Sequence, residues 1–366
     1  MKYIAYYLPQ FHEIPENNEW WGNGFTEWTN VKNAKKLFQN HYQPRIPLNN
    51  NFYNLLNKET LEWQAALANK YNVYGFCFYH YWFKDSKKLL EKPAEILLDH
   101  PSIDMNYCFS WANEPWTRSW DGKSGEIIME QDYGDKRDWK NHFDYLVPFF
   151  KDKRYIKIDG KPVFIIYKPD SSPKIEQMMN YWNQLCEIEG IQKIYFIRTL
   201  RSRKINGNDE IFSAAVEFEP AYTNYNLPLY ERTIRKGYNL FCSNIKSNNK
   251  LKLMKYDYKK VTQKSLKKRP ITSSKIKTIP GIFVNWDNTP RKGANGIVFK
   301  NFNLKNFENY LYEKSLIARD LYKSDMLFIN AWNEWAEGTY LEPDDKYGFG
   351  YLETIKKVFK QVKDEE

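Results

Sequence analysis

Short runs rich in β-branched and aromatic residues recur along this chain, and most lead through a polar loop into a helical pattern. They are YIAYYLP (Tyr3 to Pro9), VYGFCFYHYW (Val73 to Trp82), MNYCFSWANEPW (Met105 to Trp116), KPVFIIYKP (Lys161 to Pro169), KIYFIRTL (Lys193 to Leu200), AAVEFEPAY (Ala214 to Tyr222), GIFVNWDNTP (Gly281 to Pro290) and MLFINAWNEW (Met326 to Trp335). Between them KETLEWQAALANKYN keeps Leu61, Ala65, Leu67 and Ala68 mainly on one helical face, while KPAEILLDH, DWKNHFDYLVPFF and PKIEQMMNYWNQLCEIEG read as further helices. Eight strands alternating with helices are the count and order of a single α/β domain of the (β/α)8 TIM-like barrel type. A doubly wound sheet with a second domain is the alternative, but no run is followed by the glycine-rich phosphate loop of the dinucleotide fold. The stretch 223–278 is too long for one loop and helix, and is expected to be a basic insertion above the barrel between strands 6 and 7.

In such a barrel the working residues stand at the carboxyl ends of the strands. Those ends are crowded here with polar and aromatic side chains: Tyr79 and His80; Trp111, Asn113 and Glu114; Tyr167; Trp286; and finally Asn333, Glu334, Trp335 and Glu337. WWGNGFTEW adds Glu27, which also reads as a capping-type acid beside Thr26. Strand 6 offers Glu217 and Glu219, one of which is expected to line the cleft. Aromatic residues make up 17% of the chain, with 13 Trp, 28 Tyr and 23 Phe, so rings with a polar edge are available for a wet groove as well as for the core. Sugars suit such a groove, because their C–H faces lie flat on rings while their hydroxyls reach carboxylates and amides. The expected ligand is an oligosaccharide or polysaccharide.

Glu334 and Glu337 lie three apart in FINAWNEWAEGTYLEP. Acids at that spacing often mark a solvated helix face. Between tryptophans they also fit the pair that glycosyl chemistry needs, one carboxyl to protonate the leaving oxygen and one to act near the anomeric carbon. On this reading Asn333 is within reach of either.

Other chemistries have less support. Five His without HxH or HExxH spacing give no zinc signature, so no metal or cofactor is expected. A G-x-S-x-G elbow is missing. Cys77, Cys108, Cys186 and Cys242 are widely spaced and read as core thiols. The net charge of +10 is concentrated in Lys246 to Lys277, which argues against nucleic acid as the ligand and leaves peripheral membrane or polysaccharide-assembly partners as the sharper use of that stretch. With no signal-peptide pattern or membrane span, a cytoplasmic location is expected.

YYLPQFHEIPENNEWWGNGFTEWTNV, YGFCFYHYWF, FSWANEPWTRSWDG, KPVFIIYKP and NAWNEWAEGTYLEPD, in this order, resemble the WbsX family, labelled as glycosyltransferases of bacterial surface-polysaccharide loci. That family is similar to glycoside hydrolase family 99, the retaining endo-acting α-mannosidases and α-mannanases. The resemblance implies a (β/α)8 barrel and a retaining mechanism in which Glu334 is the base on the sugar's own 2-hydroxyl and Glu337 is the acid/base for the leaving group. Ala336 stands where the hydrolases carry histidine. The alternatives are a nucleotide-sugar-dependent glycosyltransferase of surface-polysaccharide biosynthesis (O-antigen, lipopolysaccharide or capsule) and a non-catalytic glycan-binding barrel. For the first, PDDKYG is a poor diphosphate site, since Asp344 and Asp345 read as a turn.

Overall fold

The computed structural model describes residues 1–118, 123–202, 210–225, 253–271 and 276–365. Its main sheet is a barrel of eight parallel strands: β1 (Lys2–Tyr7), β2 (Gly75–Trp82), β3 (Asn106–Trp111), β4 (Lys161–Ile166), β5 (Tyr195–Leu200), β6 (Ala214–Glu217), β7 in two segments (Lys277–Ile279 and Gly281–Phe283) and β8 (Met326–Asn330). Pro280 has no N–H for a ladder and divides β7. The first segment pairs with β6, in register Ala214 with Lys277, and the second pairs with β8, Gly281 with Phe328. β8 in turn pairs with β1, so this divided strand closes the ring. Gly281 is required there, because a Cβ would run into the Glu217 carbonyl oxygen of β6.

The expected barrel is therefore the observed fold. Each run is longer in sequence than its strand, since the ladders stop at Tyr7, Trp111, Ile166, Glu217, Phe283 and Asn330. Beyond those points the chain is loop at the barrel mouth, so the polar half of each run is free to build a cleft. Among the described residues, seven helices of eight residues or more cover the outside: α1 (Lys58–Lys70), α2 (Lys92–Asp99), α3 (Lys136–Lys151), α4 (Lys174–Ile188), α5 (Tyr258–Leu266), α6 (Leu304–Asp320) and α7 (Gly350–Asp364). α1 buries Leu61, Ala65, Leu67 and Ala68 as its periodicity requires, and α7 buries Tyr351, Leu352, Ile355, Val358 and Val362. Each such large apolar side chain contributes about 1.5–3 kcal/mol of burial free energy. Cys77, Cys108 and Cys186 are buried free thiols; Cys242 lies outside the described residues.

Two expectations need correction. The stretch 223–278 is not simply an insertion above the barrel, because α5 belongs to it and packs in the outer layer beside α6, where Ser265 Oγ and Tyr310 Oη are 2.7 Å apart. Its remaining basic residues at 226–252 and 272–275 lie outside the described residues. Neither Glu217 nor Glu219 lines the cleft. Glu217, the last residue of β6, meets Lys314 of α6 at 2.9 Å, and Glu219, beyond the strand end, accepts from Thr223 and Ser265. Among the described residues no helix is long and apolar enough to cross a membrane.

Candidate active site

The loops after the strands enclose a cleft of about 670 Å³ at the barrel mouth. That is within the roughly 300–1,000 Å³ usual for small-ligand sites. Of the residues singled out from sequence, Tyr79, Glu114, Tyr167, Trp286, Glu334 and Glu337 line it. Trp21, Tyr81, Trp116 and Tyr256 add further rings, Trp116 from an antiparallel strand pair (Trp116–Arg118 with Lys123–Met129) that also brings Thr117 and Ile128 to the cleft wall.

Besides Glu27, Glu217 and Glu219, five others do not line the cleft: His80, Trp111, Asn113, Asn333 and Trp335. Alternation along β2 turns Tyr79 and Tyr81 inward, so His80 faces the outer layer, with its Nε2 2.8 Å from that of His142 on α3. Burial drops the His80 imidazole to about 3, leaving a neutral ring in the core. Trp111 also faces outward and donates to the Trp82 carbonyl. Asn113 is fully buried: it accepts from Lys168 N–H at 2.7 Å and donates to the Lys168 carbonyl at 2.8 Å, tying the loop after β3 to the one after β4. Asn333 hydrogen-bonds neither glutamate side chain: its amide accepts from the Leu8 N–H at 2.7 Å and donates to the Leu8 carbonyl at 3.0 Å and to the Tyr53 hydroxyl at 3.4 Å. Trp335 is buried between Trp28 and Tyr340, its ring 3.9 Å from that of Tyr340.

Glu334 and Glu337 are brought together by a residue that the sequence did not single out. Arg291, in the short helix Thr289–Lys292 after β7, donates through Nη2 to Glu334 Oε2 at 2.9 Å and through Nη1 to Glu337 Oε1 at 2.8 Å. Its Nε donates to Glu27 Oε1 at 2.8 Å. Glu334 is the deeper of the pair, with 7% of its side chain exposed against 24% for Glu337. Burial pushes Glu334 up to about 8 against the pull of Arg291, and the nearby charges of Glu337 and Glu27 add to the rise. Glu27 is raised as well, again mainly by burial.

Behind the pair the backbone is held by polar contacts. Asp287 N–H donates to the Glu337 carbonyl at 2.7 Å, and its carboxylate accepts from Gln43 and Thr289 beside His41 and Arg45. Burial acts to raise Asp287, but His41 and Arg45 outweigh it and hold the group below the usual range. Arg45 also donates to the Gly338 carbonyl at 3.0 Å. Gly338 turns the chain at φ +64°, and a Cβ there would meet Arg45 and Asp287 at 2.8 and 2.9 Å. Under the tryptophans Glu342 accepts four hydrogen bonds, from Gln64 and Trp332 on Oε1 and from Tyr53 and Trp335 on Oε2. Burial pushes it up to about 7 against the pull of these donors.

Arg291 had no local signal, being one basic residue among 55 Lys and Arg, and Glu342 in TYLEP joins two nearby tryptophans, Trp332 and Trp335, to the distant Tyr53 and Gln64. Tyr81 was findable, since it lies two residues beyond Tyr79 on the same strand. Among the described residues no group of three or more His, Cys, Asp or Glu is arranged to hold a metal ion. Asp344 is engaged in the turn expected for PDDKYG, accepting from the N–H groups of Lys346 and Tyr347.

Comparison with known proteins agrees with this architecture. Solved structures with similar folds include a "Glycoside hydrolase-like protein" (TM-score 0.60, 16% identity, covering 98% of this chain and 93% of that one). They also include the GH99 endo-alpha-mannosidase from Bacteroides thetaiotaomicron (TM-score 0.56, 15% identity, 99% of this chain and 97% of that one). At these identities the likeness is one of fold. The curated protein WxcX of Xanthomonas campestris pv. campestris, described as uncharacterized, is 32% identical over 364 residues, covering 99% of this chain. The chain spans about half the length of that relative, 50%. The family model described as "Glycosyltransferase WbsX" matches residues 3–355. With that match over nearly its whole length, the chain belongs to the WbsX glycosyltransferase family.

Proposed function

We propose that this chain is a carbohydrate-active enzyme that cleaves or transfers an α-glycosidic bond of a cell-surface polysaccharide with retention of configuration. One observation carries the reading: two glutamates, Glu334 and Glu337, share one guanidinium on the wall of a ring-lined cleft. In the mechanism favoured by family resemblance, ionised Glu334 takes the proton of the sugar 2-hydroxyl as that oxygen attacks the anomeric carbon. Glu337 gives its proton to the departing oxygen. A 1,2-anhydro sugar with a three-membered ring forms; Glu337 then deprotonates the water or glycan hydroxyl that attacks the anomeric carbon, and Glu334 returns its proton to the sugar's 2-oxygen as the ring bond breaks.

A specific observation favours a second assignment with the roles exchanged. The group raised to about 8 is Glu334, so at neutral pH the deeper glutamate holds the proton that a general acid requires. In both assignments the pair works with one proton. As pH rises through about 8 that proton is lost, and with it the acid, so kcat/KM is expected to fall tenfold per pH unit above that value. A pH–rate profile on any cleavable substrate checks this, and a rate flat to pH 10 would remove the pair from proton transfer.

Nucleotide-sugar transfer is tested separately, by calorimetric titration with UDP- and GDP-sugars. Saturable binding would replace the glycosidase reading with transfer from a nucleotide donor. A screen of oligosaccharides from the producer's own envelope identifies the sugar and shows whether water or a glycan is the acceptor.

A further inference from the structure

We propose that Arg291, anchored from behind by Glu27, is the positioning residue of the glutamate pair: it fixes the spacing of Glu334 and Glu337 and makes the three acids compete for one positive charge. This rests on the assignment of Glu334 and Glu337 as the working pair. The geometry is that of a three-pronged clamp. Nε, Nη1 and Nη2 each take a different carboxylate at 2.8, 2.8 and 2.9 Å, and the Arg291 side chain is 10% exposed. Glu27 does not line the cleft, and its side chain is 0% exposed, so it acts on the cleft only through Arg291 and through its charge. Each cleft glutamate gives one oxygen to the clamp. Glu334 Oε1 and Glu337 Oε2 make no hydrogen bond among the described residues, which leaves one oxygen of each for a sugar.

The charge count gives the clamp a chemical consequence. Three carboxylates against one guanidinium leave the buried group with an excess of negative charge, which is relieved when the trio keeps a proton. The other titratable groups facing it are Tyr79 and Tyr81 from β2, Tyr167 after β4 and Glu114 after β3, with Lys292 and Arg201 as further cations on the cleft wall. Lysine cannot reproduce the arrangement, because one ammonium is a point charge where the guanidinium is a rigid fork.

The test needs no substrate. Wild type, R291K, R291M and E27Q are labelled with 13C at the glutamate side-chain carboxyls, and the Glu334 and Glu337 resonances, assigned with E334Q and E337Q, are followed through a pH titration. R291M is expected to raise the midpoints of the pair by about one pH unit or more, with R291K intermediate. E27Q is expected to lower the Glu334 midpoint, because it removes a like charge and leaves the guanidinium to two acids. Unchanged midpoints in folded R291M or in E27Q would overturn the proposal. If R291M does not fold, as judged by circular dichroism, E27Q and R291K decide the matter alone. A protein with no glycosidase turnover that still shows these shifts would retain the clamp and lose only the proposed reaction.

Discussion

Glu337→Gln is expected to lower turnover of an unactivated glycoside by about 10²- to 10⁴-fold, the usual contribution of a positioned acid or base. Glutamine keeps the shape of the side chain and its contact with Arg291 but cannot give or take the proton. If Glu337 is the proton donor, the loss shrinks sharply on a substrate with an activated leaving group, whose oxygen departs without protonation. Glu334→Gln should then lose activity to a similar degree on both substrates, since activation at the leaving group does not replace a base at the 2-hydroxyl. If the roles are exchanged, so are the two patterns. Four rates, two variants on two substrates, therefore assign acid and base. A 2-deoxy analogue adds an independent check, because it lacks the hydroxyl that must attack; its turnover by wild type would reject the anhydro route. Equal losses for both variants on both substrates would deny either glutamate a leaving-group role. Unchanged glycan binding by both variants, with no turnover in wild type, would leave a glycan-binding barrel.

How much of the fold and site was legible in the sequence depends on how local each signal is. The strands and helices are periodic over a few residues, and the barrel could be read from eight such runs. Of β7 only the segment after Pro280 is legible, in the run from Gly281; Lys277–Ile279 before it falls at the end of the stretch expected to be an insertion. Glu334 and Glu337 stand in one tight turn beside buried tryptophans, so their proximity could be read directly. Side-chain direction needed the same period applied one step further: along β2 the inward set is Tyr79 and Tyr81, which excludes His80. Asn113 and Asn333 show a different limit. Their position at strand ends is as expected, but both amides are spent mainly on backbone atoms of neighbouring loops, with Tyr133, Ser171 and Tyr53 hydroxyls as further partners, so they shape the cleft wall without facing it. Arg291 was out of reach, because its partners lie 264, 46 and 43 residues away, and only the closed barrel brings those loops together.

The same reasoning gives Glu342 a structural weight that TYLEP does not advertise. Glu342→Ala is expected to destabilise the folded protein by about 3–5 kcal/mol, because it opens a cavity and leaves buried donors without an acceptor, each costing about 1–3 kcal/mol before neighbours relax. Glu342→Gln is the more informative change. Whichever way its amide is turned, the NH2 meets one pair of donors: Gln64 and Trp332, or Tyr53 and Trp335. The Gln64 amide can flip and the Tyr53 hydroxyl can rotate to accept, but an indole N–H only donates, so one tryptophan loses its partner in either orientation. That variant should therefore lose about 1–3 kcal/mol, less than alanine, as read by urea unfolding at pH 8, where the wild-type group is largely ionised. The tryptophan left unpaired is Trp332 or Trp335. The latter adjoins Glu334, so loosening it also loosens the turn that carries the pair, and activity should fall alongside stability. A glutamine variant as stable as wild type at pH 8 would mean that relieving the buried charge, whose cost raises the group to about 7, offsets the lost hydrogen bond, so that the carboxylate adds no net stability there.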